Sequence, residues 1–194
     1  MKKISVSLDS DVLMPEFALP STEGGRVLGN RDFRQQSNLV ILFLATWSCD
    51  HCLRLLYSLR DHQDMLMWLD ARVLAVTREP LDRLAGAVSE IGPGITFLSD
   101  VDGKVTAAFR EESAGGAWQP AARKADPGGN EPGAAAAAST PFLVITDRFG
   151  AVFLRMEMED GEEIDFGEVE STLMFIATQC PECGRPGGDT LPYG

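Results

Sequence analysis

An α/β fold, a mixed sheet flanked by helices, follows from three observations on the sequence. The apolar runs at 39–45 and 73–77 lack the alternation of a half-exposed strand, so they read as strands covered on both faces. A segment with helical spacing follows each of them. Farther on, Phe142–Thr146, the turn Asp147-Arg148-Phe149-Gly150 and the apolar run 151–154 read as a β-hairpin. Strands alternating with helices and ending in a hairpin require both parallel and antiparallel pairs in one sheet.

Each element has its own signal. Met14-Pro15-Glu16-Phe17-Ala18-Leu19-Pro20 is extended, and 21–26, with Gly24-Gly25, is a turn. After Cys52, the leucines at 55, 56, 59, 66 and 69 predict one helix of about four or five turns. Pro80 stands where the next helix begins. Leu81, Leu84, Ala85, Val88 and Ile91 form its apolar face until Gly92-Pro93-Gly94 stops it. A short strand at 95–98 precedes a short helix ending near Arg110. Periodicity then disappears: Ala, Gly and Pro supply 18 of the 29 residues from 111 to 139. That composition predicts a flexible insertion before the Thr140-Pro141 strand, with Trp118 its one anchor. A last helix carries Val169, Leu173, Ile176 and Ala177 on one face. Residues 1–179 are therefore expected to form one domain, with 111–139 inserted in it and 180–194 as a tail.

Charge and composition narrow the function. At 194 residues, with 44% hydrophobic and 24% charged residues, the chain suits a single globular domain. Its net charge of −12 argues against nucleic-acid and anionic-membrane partners, which select positive surfaces. Eight of the fourteen residues at 157–170 are acidic, which reads as a solvated face. The start, Met1-Lys2-Lys3-Ile4-Ser5-Val6, lacks the apolar core of a signal peptide, and no run approaches a membrane span of ~18 apolar residues. A cytoplasmic location is expected, where paired cysteines more often mean catalysis or metal than structural bridging.

All four cysteines fall into Cys-x-x-Cys pairs, and their settings differ. Cys49 and Cys52 follow a buried strand through Trp47-Ser48 and open a helix. There the unpaired N–H groups and the positive end of the helix dipole stabilise a thiolate. The spacing lets a second sulfur resolve the first. Core thiols or half a zinc site are the alternatives. His51, between the sulfurs, adds partial positive charge that favours the Cys49 thiolate. His62, the other histidine, reads as structural or solvated. Cys180-Pro181-Glu182-Cys183-Gly184 resembles a zinc knuckle. One knuckle supplies two of the four thiolates that a structural zinc needs, so its partner set is a second subunit, in a homodimer, or Cys49/Cys52. A second dithiol relaying electrons to the first is the competing reading.

With strand, Cys-x-x-Cys helix, crossover, Thr-Pro and hairpin in this order, the chain resembles the thioredoxin-fold redoxins. Within them it is similar to the thiol-peroxidase and TlpA-like branch, some members of which end in a Cys-Pro-Glu-Cys-Gly tail. The marks are 15–20, Ala45-Thr46-Trp47-Ser48-Cys49-Asp50-His51-Cys52 and Thr140-Pro141-Phe142-Leu143-Val144. The resemblance implies a thioredoxin-like mixed sheet, Cys49 as attacking thiol and Cys52 as resolving thiol. Trp47 and His51 would line the site. Pro141 would be a cis-proline facing the sulfurs, with Thr140 offering backbone hydrogen bonds to substrate. It implies a thiol-disulfide oxidoreductase acting on a protein or small-molecule disulfide, with an unidentified reducing partner. A thiol-dependent peroxidase acting on peroxide is the first alternative, and a non-enzymatic metal-binding or interaction module the second. No cofactor is required, and structural zinc is confined to Cys180 and Cys183. The chain departs from the pattern in four places. Ser48 separates Trp47 from Cys49, and the strand before the motif holds no acid. Leu42 replaces the proline of a peroxidase motif whose second half Thr46-Trp47-Ser48-Cys49 matches. The arginine that activates a peroxidatic sulfur has no place in the strand beginning at Thr140. Asp50 and Glu79 are the stand-ins for that acid.

Overall fold

The computed structural model describes residues 3–6, 12–115 and 140–179. In chain order the elements are β1 (Lys3–Val6), β2 (Ala18–Pro20), β3 (Val27–Gly29), α1 (Asn30–Phe33), β4 (Asn38–Leu44), α2 (Asp50–Asp61), α3 (Gln63–Trp68) and β5 (Ala71–Thr77). They continue with α4 (Leu81–Ile91), β6 (Ile95–Ser99), α5 (Lys104–Gly115), β7 (Phe142–Thr146), β8 (Val152–Glu157) and α6 (Phe166–Thr178).

A six-stranded sheet in the order β1-β8-β7-β4-β5-β6 organises them. β4, β5 and β6 run parallel, while β7 is antiparallel to β4 and to β8. β4 is buried at every residue, as its unbroken apolar run requires. Its side chains still alternate between two cores. Val40, Leu42 and Leu44 join Leu55, Leu56 and Leu59 of α2 and Val169 and Leu173 of α6 in an aliphatic cluster. Ile41 and Phe43 face the other way, onto Phe17, Leu28, Phe109 and Phe142. The first cluster seats the helix that begins at the cysteines.

Several boundaries differ from the sequence reading. The single long helix after Cys52 is two, because His62 leaves helical geometry at φ −101° and ψ 14°. There its Nδ1 lies 2.8 Å from the Ser58 carbonyl and its ring stacks on Phe166 at 3.6 Å. α4 buries Leu84, Ala87 and Ile91, whereas Ala85 and Val88 face solvent. The short helix expected to end near Arg110 extends to Gly115, so part of the expected insertion is helical. The buried Asp100 carboxylate starts that helix by accepting from the Val105 and Thr106 amides and the Thr106 hydroxyl. β1, which no periodicity signalled, adds an edge strand to β8.

Candidate active site

β4 exits through Thr46 and Trp47 to Cys49, which occupies the N-cap of α2 in extended backbone, φ −76° and ψ 149°. Cys49 and Cys52 form a disulfide with a Cα–Cα distance of 5.0 Å. The Cys52 amide donates to Cys49 Sγ at 3.0 Å. A sulfur that receives a backbone N–H at the positive end of a helix is better placed to hold negative charge, which makes it the better nucleophile and leaving group. Burial separates the two sulfurs. Cys52 is 3% exposed and packs into the aliphatic cluster, while Cys49 is half-buried and reaches solvent. A group approaching from solvent therefore reaches Cys49 before Cys52.

A residue outside the motif holds the loop. Glu79 follows β5, the strand beside β4, and its carboxylate accepts from the Thr46 hydroxyl at 2.9 Å and the Trp47 amide at 3.1 Å. Thr46 in turn accepts from the Ser48 amide at 3.3 Å. The Ser99 hydroxyl donates to the Glu79 carbonyl at 2.8 Å, tying the arrangement to β6. Both partners of the carboxylate are donors, so an acid is the residue type that satisfies them together. The Trp47 indole lies against α4 at Gly86, where an added Cβ would stand 3.3 Å from the ring. Glu79 is recognisable from sequence as an acid at the carboxyl end of a parallel strand, where ligand crevices form in α/β sheets.

The other expected site residues divide. His51 is buried, and its ring points into the β8–α6 loop, where Nε2 meets the Glu162 carbonyl at 2.7 Å. A carbonyl only accepts, so Nε2 carries the hydrogen and donates. The exposed Asp160 carboxylate lies 3.8 Å from Nδ1. Part of the acidic segment is thus tied to the active-site helix and is more than a solvated face. Thr140 and Pro141 precede β7, whose Phe142 pairs with Phe43 near the exit of β4, so they share the sheet end that bears the disulfide. The Thr140-Pro141 bond is trans, which corrects the expected cis-proline, since no cis peptide occurs among the described residues. Trans is the lower-energy isomer of such bonds by about 0.5–1 kcal/mol. The Pro141 carbonyl accepts from the Met158 amide at 2.9 Å.

Cys180 and Cys183 lie outside the described residues. The helix leading to them runs away from the disulfide: Phe175, near the end of α6, packs on Phe153 at the start of β8, the sheet end opposite the site. Among the described residues no group of three or more His, Cys, Asp or Glu side chains is arranged to hold a metal. Nor is any described helix long and apolar enough to cross a membrane.

The profile of the AhpC/TSA family matches residues 12–128, more than half of the chain. No curated protein matches at a significant level. Among solved structures, peroxidoxin BcpB from Mycobacterium tuberculosis aligns with a TM-score of 0.61 at 14% identity, over 88% of this chain and 97% of that one. A thiol peroxidase from Chromobacterium violaceum aligns at 0.59 and 19% identity, over 85% of this chain and 86% of that one. A structure described as thiol:disulfide interchange protein DsbE from Chlorobium tepidum aligns at 0.58 and 20%, over 88% and 99%. At these identities the likeness establishes the thioredoxin-like fold. With the family match and a cysteine pair at disulfide distance on a helix N-terminus, the chain belongs to the AhpC/TSA family and is an oxidoreductase.

Proposed function

We propose that the protein is a thiol-disulfide oxidoreductase in which Cys49 attacks and Cys52 resolves. The observation that carries this is the contrast within the pair: Cys49 is reachable and receives a backbone N–H, whereas Cys52 is buried. In the reduced protein the Cys49 thiolate attacks one sulfur of a substrate disulfide and expels the other as a thiolate. Cys52, on losing its proton, attacks Cys49 Sγ, closes the Cys49–Cys52 bond and releases the second substrate thiolate. The substrate gains two electrons and the protein loses two. An external dithiol restores the protein by the reverse exchange. Trp47 and Thr140-Pro141 line the approach, and His51 orients the first turn of α2. In this reading the cycle needs no cofactor, it takes place in the reducing cytoplasm, and zinc is confined to a Cys180/Cys183 site shared by two chains.

The family match supports a second reading, a thiol-dependent peroxidase. There the Cys49 thiolate attacks a peroxide oxygen, giving a sulfenic acid and an alcohol or water. Cys52 then displaces water to form the same disulfide. The Thr46 hydroxyl, which sits three positions before Cys49 as a peroxidase motif has it, is committed to Glu79. That commitment weighs toward disulfide exchange.

Parallel assays of disulfide reduction and hydrogen peroxide consumption test both. Cys49→Ser should abolish activity, and Cys52→Ser should accumulate a mixed disulfide with substrate. Faster peroxide consumption than disulfide reduction in the wild type would select the second reading. Full turnover by Cys49→Ser would overturn both.

A further inference from the structure

The start of β7 collects positive charge that the chemistry above does not use. The guanidinium carbons of Arg110 and Arg155 lie 4.4 and 4.6 Å from the centroid of the same ring, Phe142. Phe43 stacks on that ring at 4.4 Å with an interplanar angle of 6°. Arg155 is buried, donates to the Phe109 carbonyl at 2.9 Å and pairs with Glu157 at 3.1 Å. Arg110 is half-buried and donates to the Thr140 carbonyl, while its Nε is shielded from solvent and has no partner among the described residues. Arg78, which follows β5, lies across the turn at Gly103 and adds a third positive charge felt at Arg110. Burial, and then the Arg155 charge, hold the Arg110 guanidinium below its usual range, and Glu157 only partly opposes this.

This accumulation is unusual in a chain of net charge −12. Partly desolvated guanidinium groups that repel one another are costly unless counter-charge meets them. Among the described residues, Glu157 is the carboxylate that acts on Arg110 and Arg155. Guanidinium N–H groups match the oxygens of a carboxylate in geometry as well as charge. The cluster also lies at the sheet end that carries Cys49, because Arg78 leaves β5 beside Glu79 and Arg110 holds Thr140.

We propose that Arg110, with Arg78 and Arg155 around it, forms an anion subsite that takes the carboxylate of an acidic small-molecule disulfide whose S–S bond reacts at Cys49. This rests on the disulfide-exchange reading and names a substrate class for it. The half-buried Arg110 supplies the guanidinium N–H groups that solvent reaches, and the other two arginines deepen the local positive potential. Neutral disulfides reach Cys49 without using the subsite.

Two measurements on the full-length protein test it. Calorimetric titration with 2-nitrobenzoate, which has no disulfide, should show saturable binding. Arg110→Gln should weaken that binding about tenfold, and Arg110→Lys less. Absence of saturable binding, or binding indifferent to Arg110→Gln, overturns the subsite whatever the enzyme's activity. Single-turnover oxidation of the pre-reduced protein by 5,5′-dithiobis(2-nitrobenzoate) and by neutral 4,4′-dithiodipyridine then links the subsite to Cys49. Arg110→Gln should slow the anionic reagent about tenfold and leave the neutral one unchanged, which also shows that the variant is folded. Equal slowing of both reagents overturns the proposal. A wild type that reacts with neither reagent at Cys49, yet binds 2-nitrobenzoate through Arg110, overturns the exchange reading and the assigned substrate class together.

Discussion

The two faces of the sheet are built from different materials. One is mostly aliphatic, with α2, α4 and α6 supplying Leu, Ile and Val against Val40, Leu42 and Leu44, and with Phe97 and Phe153 as its buried rings. The other places Phe17, Phe43, Phe109 and Phe142 together and sets two guanidinium groups over the last of these rings. The mostly aliphatic face packs and fixes the helix whose first turn carries the disulfide. An aromatic face can pack and also hold cations through its ring electrons. The first face thus seats the disulfide helix, while the second holds two buried or half-buried guanidinium groups on one ring.

Five variants sharpen or break that contrast. The largest stability loss is expected at Leu56, which is fully buried on the inner face of α2. Leu56→Ala should cost about 2–5 kcal/mol in denaturant unfolding. Phe142→Leu, on the other face, should cost less, about 1–3 kcal/mol, from imperfect repacking and lost cation–ring contacts. If the aromatic substitution proves the more damaging, the division between a structural and a recognising face fails.

Glu79→Gln comes next, since it leaves the Trp47 amide facing a donor in the half-buried loop. It should lower stability by about 1 kcal/mol and slow alkylation of Cys49 about fivefold. An alkylation rate unchanged across pH 5 to 9 would show that the loop does not need its acid. His51→Ala should be milder. It removes the donor to Glu162, and backbone hydrogen exchange at 162–165 should quicken about fivefold with little change in melting temperature. Unaltered exchange there would mean that the loop is held by other contacts. Cys180→Ser should have the smallest effect on Cys49, because α6 leads the chain to the opposite end of the sheet. Single-turnover oxidation should proceed at the wild-type rate. A marked slowing would favour the electron relay over a zinc knuckle, and about one zinc per two chains, lost in this variant, would favour the knuckle.

Periodicity and residue type determined much of this protein directly. The unbroken apolar runs at β4 and β5 identified strands covered on both faces, because only a doubly buried strand can carry apolar residues at every position. The spacing of Cys49 and Cys52 at a predicted helix start identified the pair that the fold brings to disulfide distance, because cap geometry is local and the residues that create it are adjacent in the chain. Tertiary structure decided the rest. That β8 carries β1, that His51 faces Glu162 instead of serving only the sulfurs, and that Glu79 holds Thr46 are contacts between distant residues, which no local pattern encodes. The break at His62 depends on the Phe166 ring that meets it. Arg78, Arg110 and Arg155 look like scattered surface charges in the sequence. They become a cluster only because the chain crosses back to place α5 beside β7 and β8, and electrostatic energy depends on distance in space.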